Sequence, residues 1–533
     1  MSRKEDFPIE YKVVDNFIKV NKKQWKNIET NDKYIYLNFS MVRMQAAWII
    51  PKLIYAKGMQ EATNAKVIVL TWRANEEVSK LIESYGFCHV PLHEIMFKNL
   101  FALVKSGLKT AGFLLFKGSG NELKRIEICN AKAGKSLYED IIRTSSLSTI
   151  KSARNKTCIK KMIHLFWMAY ALDSYVSKRK PILSIADDIA YHEGLIHRIM
   201  KKHGARVYQS NYQQERLVNI DENDNIETIA EFSHKFYVEE VKKLDDSCIK
   251  WSEDYLQERF KGNNGRAIDR GAFANKKVLS RNDFYNEYKL DPSKKTVVIM
   301  SHTFSDAVYN YGELYFRDYY DWLEKTLQLA GKIDTVNWVL KPHPTRASYN
   351  ESVDSIELMF EKYKKSHMAF LDDSVSAESI INFADAQVTI GGNSGGEFSC
   401  FGIPTVIVGK PYYRGFGYTI EPKTYKEYAK VLEKMNKIKP LSDEQIVMAK
   451  KLFYLRNNES INQGLFLYKD DFGELVNKNY KAMFEKIALQ YFASNEGTEE
   501  YNTDILNKIL EYGKNHKFDE TEYYKRGYQR GKE

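Results

Sequence analysis

Short apolar strands alternating with helices restrict this chain more than any other feature, and residues 387–408, QVTIGGNSGGEFSCFGIPTVIV, carry the pattern most clearly. Val388, Thr389 and Ile390 form an apolar, β-branched run that suits a buried strand. It stops at Gly391-Gly392. Asn393 and Ser394 offer N-cap chemistry, and Gly395, Gly396 and Glu397 open a helix expected to run through Cys400. Gly402-Ile403-Pro404 breaks that helix, and Thr405–Val408 is a second strand. A strand, a glycine-rich turn and a helix N-terminus together can hold a phosphate, because free N–H groups and the helix dipole face the anion while glycines let it come close. Glu397 is then placed to accept hydrogen bonds from ribose hydroxyls. A tight turn whose glycines serve packing alone fits the same letters, and this segment by itself leaves both readings open.

The alternation extends in both directions. Tyr34–Phe39 and Lys66–Leu70 are expected strands, with helical spacing over Met41–Lys57 between them. Asn75–Tyr85 is a helix ended by Gly86, Arg125–Cys129 a strand, Ser136–Arg143 the start of a helical region and Thr157–Ser177 a long helix. Pro181–Ala186 is a strand that delivers Asp187 and Asp188 at its end, followed by a helix over His192–His203 and a strand over Arg206–Gln209. Residues 211–285 are polar and are taken as a connection. Strands restart at Thr296–Met300 and Val336–Leu340 and continue into the 387–408 segment; helical patterns follow over Asp443–Leu455, Gly464–Phe492 and Tyr501–Tyr512, then a charged, Tyr-rich tail. The expectation is an α/β fold with a doubly wound sheet in each half. Its domains are 1–285, 286–440 and 441–533, the last of helices packing across both.

Composition narrows the function classes. With 36 Tyr and 28 Phe the chain has ample material for cores. The net charge of +10 suits an anionic partner, although an ordinary lysine-rich surface is the simpler account. Five scattered cysteines without CxxC spacing argue for a reducing compartment and against zinc. The opening residues MSRKEDFPIEYKVVDNF lack the apolar core of a secretory leader. Asn99–Lys117 is the most apolar stretch, but three lysines interrupt it, so it is expected as an amphipathic helix, buried or interfacial. The expected setting is the cytoplasm, with peripheral contact to the inner face of the membrane as a further partner and no nucleic acid.

Four segments gather polar groups at strand ends: Ser301–Asp306 (SHTFSD), Lys341–Pro344 (KPHP), Gly391–Glu397, and Asp187-Asp188 with Tyr191, His192 and Glu193. A parallel sheet places its strand ends on one rim, where ligands bind. In KPHP the prolines stiffen the loop, so His343 can donate to a phosphate oxygen and Lys341 can add a point charge. His302 could orient a donor or leaving group. Asp187 or Asp188 could act as a general base, since neighbouring carboxylates raise one another's pKa, or cap the following helix. Lys410, Tyr412, Tyr413 and Arg414 could border a nucleotide. There is no GxxxxGK[ST], HExxH or GxSxG motif and no strand-end DxD.

The run from SHTFSD through LKPHP to VTIGGNSGGEFSCFGIPTVIVGKPYYRGFGYT resembles bacterial capsule and surface-polysaccharide biosynthesis proteins of glycosyltransferase fold B. The likeness is best over roughly 296–428. The His-Pro pair and serine-glycine turn are also similar to those of capsule Kdo transferases, polysialyltransferases and teichoic-acid glycerophosphotransferases. The resemblance implies two facing Rossmann-like domains, His343 on a nucleotide phosphate, Ser394 in the phosphate-holding turn, and Asp187 or Asp188 as the base. In polysialyltransferase-like pairs a glycine follows; here Ile189 does. The implied activity is metal-independent transfer of a sugar from a nucleotide-sugar donor (CMP-, UDP- or another NDP-linked) to a growing glycan or glycolipid acceptor, with no cofactor required. The alternatives are a CDP-alcohol-dependent glycerophosphotransferase, a nucleotide-sugar epimerase and a non-catalytic polysaccharide-binding protein.

Overall fold

A computed structural model of the chain describes residues 28–39, 63–73, 76–145, 147–186, 188–210, 215–220, 226–228, 234–263, 276–309, 314–344 and 355–457, with scattered positions between these stretches. Asp187, most of the helix expected at Met41–Lys57, both helices expected beyond residue 460 and the charged tail lie outside the described residues.

The chain divides into two compact units, one built on Met1–Tyr138 with Ser152–Ser233, the other on Glu139–Lys151 with His234–Asn458. The first holds a seven-stranded sheet. Its strands are β1 (Lys33–Asn38), β2 (Lys66–Thr71), β3 (Cys88–Pro91), β6 (Lys180–Ala186), β7 (Arg206–Ser210), β8 (Glu215–Ile220) and β9 (Ile226–Thr228); a separate two-residue hairpin supplies β4 (Glu127–Ile128) and β5 (Ala131–Lys132). The order is β3-β2-β1-β6-β7-β8-β9; the first five run parallel, and β8 and β9 turn back antiparallel. The strand expected over Arg125–Cys129 is therefore a short hairpin arm outside the main sheet. Cys129 and Asn130, both at positive φ, make its tight turn.

The second unit holds six strands, β10 (Thr296–Met300), β11 (Asn337–Lys341), β12 (Met368–Phe370), β13 (Ala386–Thr389), β14 (Thr405–Ile407) and β15 (Thr419–Ile420), in the order β12-β11-β10-β13-β14-β15, all parallel. Counted from β10 this is the doubly wound order 3-2-1-4-5-6. The strands are apolar runs rather than alternating ones because helices cover both faces, and Val298, Ile299, Val339 and Val388 are wholly buried. The α/β fold with two Rossmann-like sheets is as the sequence led one to expect.

The division between units falls at Ser233/His234, not at 285/286. Part of the polar region taken as a connection is the helix Ser247–Phe260, which packs within the second unit on the helix Asp443–Asn457. Leu256 and Phe260 are buried, Ser252 Oγ donates to the Lys450 carbonyl at 2.9 Å, and Lys450 pairs with Glu253 at 2.6 Å. The charges that suggested a linker belong to the outer face of an amphipathic helix.

Candidate functional site

In the second unit the strand order reverses between β10 and β13, each of which ends in one of the polar segments singled out above. This reversal opens a crevice beyond the carboxyl ends of the strands. His302, two residues past β10, spans it: Nε2 lies 3.2 Å from the Thr389 hydroxyl at the end of β13. A Cβ placed on Gly392 would stand 3.5 Å from His302 Cε1 and Nε2, so the imidazole lies against the glycine turn. On the other side, Ser301 ties β10 to β11. Its N–H donates to the Lys341 carbonyl at 3.1 Å, and its hydroxyl accepts the His343 N–H at 2.9 Å. His343, His302 and the turn at 391–397 thus sit side by side on one rim. Burial, and then the adjacent His343, push the His302 pKa down to about 3. His302 is a neutral imidazole at physiological pH, fit to donate or accept one hydrogen bond but not to supply charge. Ala307, in the same loop, is held at φ +42° and is nearly buried. A non-glycine residue in that region stores backbone strain of the kind that gathers at working sites.

The turn shows the packing role that its letters left open. The helix Ser394–Ser399 starts there, and Cys400 caps its end. Asn393 already has helical angles and makes no side-chain cap, contrary to the capping expected of it. The N–H groups of Gly395, Gly396 and Glu397 bond back to the Gly392 and Asn393 carbonyls, whereas those of Asn393 and Ser394 have no acceptor among the described residues. Gln387 braces the turn from below by donating to the Ser394 carbonyl at 2.9 Å. Gly395 and Gly396 are required for packing. A Cβ on Gly395 would fall 2.1 Å from Tyr413 Oη, and one on Gly396 2.7 Å from Tyr412 Oη. Tyr413 Oη also donates to the Gly392 carbonyl at 2.7 Å. The tyrosines suggested as a nucleotide border therefore lie against the back of the turn and stiffen it.

Two predicted ligands are differently employed. Lys341 is buried, and its Nζ donates to the carbonyls of Asp372 and Val375 at 3.2 and 3.1 Å. Burial, mainly, lowers its pKa to about 8. It fastens the loop after β12 instead of presenting a point charge on the rim. Glu397 Oε1 accepts from Arg259 Nε at 2.9 Å in a nearly buried ion pair, so one oxygen of the carboxylate proposed for ribose is already engaged. Arg259 sits in the segment taken as a connection, and no sequence signal marked it. Arg414 is paired with Glu421 at 3.0 Å.

In the first unit, the strand order reverses between β1 and β6. Asp188, just past β6, accepts the N–H groups of Ile189 (2.7 Å) and Ala190 (3.2 Å) on Oδ1, while its own N–H donates to Glu193 Oε2 at 3.0 Å. These bonds close a turn ahead of the helix Tyr191–Lys202, whose N-cap is Ala190 without a side-chain bond, so Asp188 does not cap the helix as expected of an aspartate there. Tyr191 opens that helix at φ +53°, and Gly194 is obligatory because a Cβ there would meet the Ile189 carbonyl oxygen at 2.1 Å. Beside it, Trp72 beyond β2 has its ring 5.2 Å from those of both His164 and His192, a grouping that sequence spacing could not reveal.

No protein-family model matches the chain, and no curated protein does. Among solved structures, similarity is found to a β-Kdo 2,4 transferase, KpsC, of Thermosulfurimonas dismutans, with 10% identity over 51% of this chain and 79% of that one and a TM-score of 0.29. The wall teichoic acid polymerase TagF matches with 10% identity over 88% and 93% of the two chains, TM-score 0.23. A UDP-GlcNAc 2-epimerase of Methanocaldococcus jannaschii matches with 11% identity over 79% and 98%, TM-score 0.25. At such scores these likenesses carry no argument about this chain.

Proposed function

We propose that this protein is a glycosyltransferase that moves a sugar from a nucleotide-sugar donor to a surface glycan of the capsule or lipopolysaccharide type, without a metal. One observation carries the reading: the loops after β10, β11 and β13 meet at the strand-order reversal of a 3-2-1-4-5-6 sheet, with His302 hydrogen-bonded to Thr389 and Ser301 bound to His343. That rim offers an anion the imidazole of His343 and the backbone N–H groups of Asn393 and Ser394. Donors fixed in advance stabilise a departing nucleotide phosphate without reorganisation. Neutral His302 would supply one oriented hydrogen bond to the donor. The acceptor hydroxyl oxygen would bond to the anomeric carbon as the bond from that carbon to the phosphate oxygen breaks, its electron pair leaving with the nucleotide. In an inverting course the hydroxyl proton passes to a carboxylate, with Asp187 and Asp188 as the proposed candidates. Asp188 Oδ1 is committed to two backbone N–H groups. Asp187 is therefore the first residue to test as base, with Asp188 next.

The test combines binding and turnover. The full chain is screened by thermal shift against CMP, UDP, GDP and CDP. One nucleotide should raise the melting temperature, since a ligand held only by the folded state stabilises it. His343→Ala should keep its own melting temperature, lose that rise and lose transfer by at least about a hundredfold, the scale of one lost oxyanion donor. An unaltered nucleotide response in His343→Ala would remove the phosphate contact from the proposal.

A further inference from the structure

The helix Leu100–Phe116 is built inside out. Its buried residues are Ala102, Ser106, Thr110 and Phe113, three of them small. The Ser106 and Thr110 hydroxyls are satisfied within the helix, on the carbonyls of Leu103 (2.6 Å) and Ser106 (2.9 Å). Small residues four apart let the helix lie close to the helix Lys156–Val176. Its large apolar residues face solvent instead: Phe101, Val104, Leu108, Leu115 and Phe116, joined by Phe97 at the end of the preceding helix Leu92–Phe97, are 60% to 86% exposed. Most of them recur at three- and four-residue steps, so they line one stripe along a helix about 25 Å long. A soluble surface rarely carries so much continuous apolar area without something that covers it.

The charges beside the stripe say what covers it. Lys98, Lys105, Lys109 and Lys117 flank it, and no carboxylate occurs between Glu94 and Glu122. Those two terminal acids are already paired with Lys98 and Lys117, each at 3.6 Å. The Lys105 ammonium lies over the ring of Tyr170, 4.3 Å from its centroid. Two copies meeting through this face would bring Lys105 and Lys109 towards their counterparts with no acid on the helix to receive them. An anionic lipid surface satisfies both the apolar stripe and its basic margins. No described helix is long and apolar enough to cross a membrane, so the geometry is that of a helix lying in the interface.

We propose that Leu100–Phe116 docks the protein on anionic bilayers, its exposed aromatic and aliphatic side chains entering the headgroup–acyl boundary and its lysines meeting lipid phosphates. This inference rests on the first unit alone and is independent of the nucleotide reading. It is tested by flotation of the full chain with vesicles of phosphatidylcholine containing phosphatidylglycerol, and with phosphatidylcholine alone, at low and high salt. The wild type should float with the anionic vesicles, less so at high salt. The triple variant Phe101→Ser/Leu108→Ser/Phe116→Ser should lose at least about tenfold in partitioning. All three positions are solvent-exposed, so its circular-dichroism melting curve should match the wild type. Failure of the wild type to float, equal flotation with neutral vesicles, or equal flotation of the variant would each overturn the proposal. So would a wild-type dimer in solution that the variant converts to monomer, which would give the face to a second copy.

Discussion

Gly395 shows how much a missing side chain can decide. Its lack of one admits Tyr413, whose hydroxyl bonds to the Gly392 carbonyl. Gly395→Ala puts a methyl group where Tyr413 Oη lies, so it should destabilise the protein by about 1–3 kcal/mol, the usual cost of overpacking. Urea denaturation would measure this, and adding Tyr413→Leu should recover part of the loss; an unaffected single variant would show that the tyrosine moves aside freely. At this scale the letters announced polar strand ends but not what each side chain faces. Lys341 and His343 stand two apart in one motif, yet the lysine turns inward to two carbonyls while the histidine stays half-exposed on the rim. Residues two apart share a face only while the strand continues; β11 ends at Lys341, and the loop from Pro342 to Pro344 redirects His343.

At the scale of elements, the helix Ser247–Phe260 reaches the candidate site through Arg259. Its guanidinium holds the Glu397 carboxylate at the first turn of Ser394–Ser399. Both side chains are at most 13% exposed, so removing one partner strands the other charge. Arg259→Met should cost about 3–5 kcal/mol, and Arg259→Met/Glu397→Gln much less than the sum of its parts. A double-mutant cycle in denaturant checks this; additive losses would mean the two groups act independently. The apolar β-branched strands β10, β11, β13 and β14 were legible because burial on both faces leaves few other residue choices. The short strands β3, β12 and β15 were missed: two to four residues carry no periodicity, and only neighbours in the sheet make them strands.

Across the molecule, His197 in the first unit and His302 in the second make stability fall in acid. Burial, with a smaller contribution from Arg198, lowers the His197 pKa to about 3, and its Nδ1 meets the Ser184 hydroxyl at 2.9 Å. His302 is lowered likewise in the second unit. Both stay neutral in the folded chain, while the unfolded chain takes up their protons below an ordinary value of about 6.5. The unfolded state then binds more protons, so their stability contribution is complete above that pH and drains as pH falls towards 3. Urea midpoints should fall from pH 7 to pH 5. His197→Gln should flatten the slope by up to about 1.4 kcal/mol per pH unit, whatever it does to stability at pH 7; an unchanged slope would show that His197 is not the source. A doubly wound sheet in each half and the polar residues at several strand ends followed from the chain alone, because alternation of apolar strands and helices admits few other folds; the antiparallel β8 and β9 and the β4–β5 hairpin did not. Folding in three dimensions decided which of those residues meet. It set His302 across the reversal between β10 and β13, took Lys341 and Asp188 into backbone contacts, brought Arg259 to Glu397 and turned the large residues of Leu100–Phe116 outward. Contacts between residues far apart in sequence depend on strand order and helix packing, and no local pattern of letters encodes those.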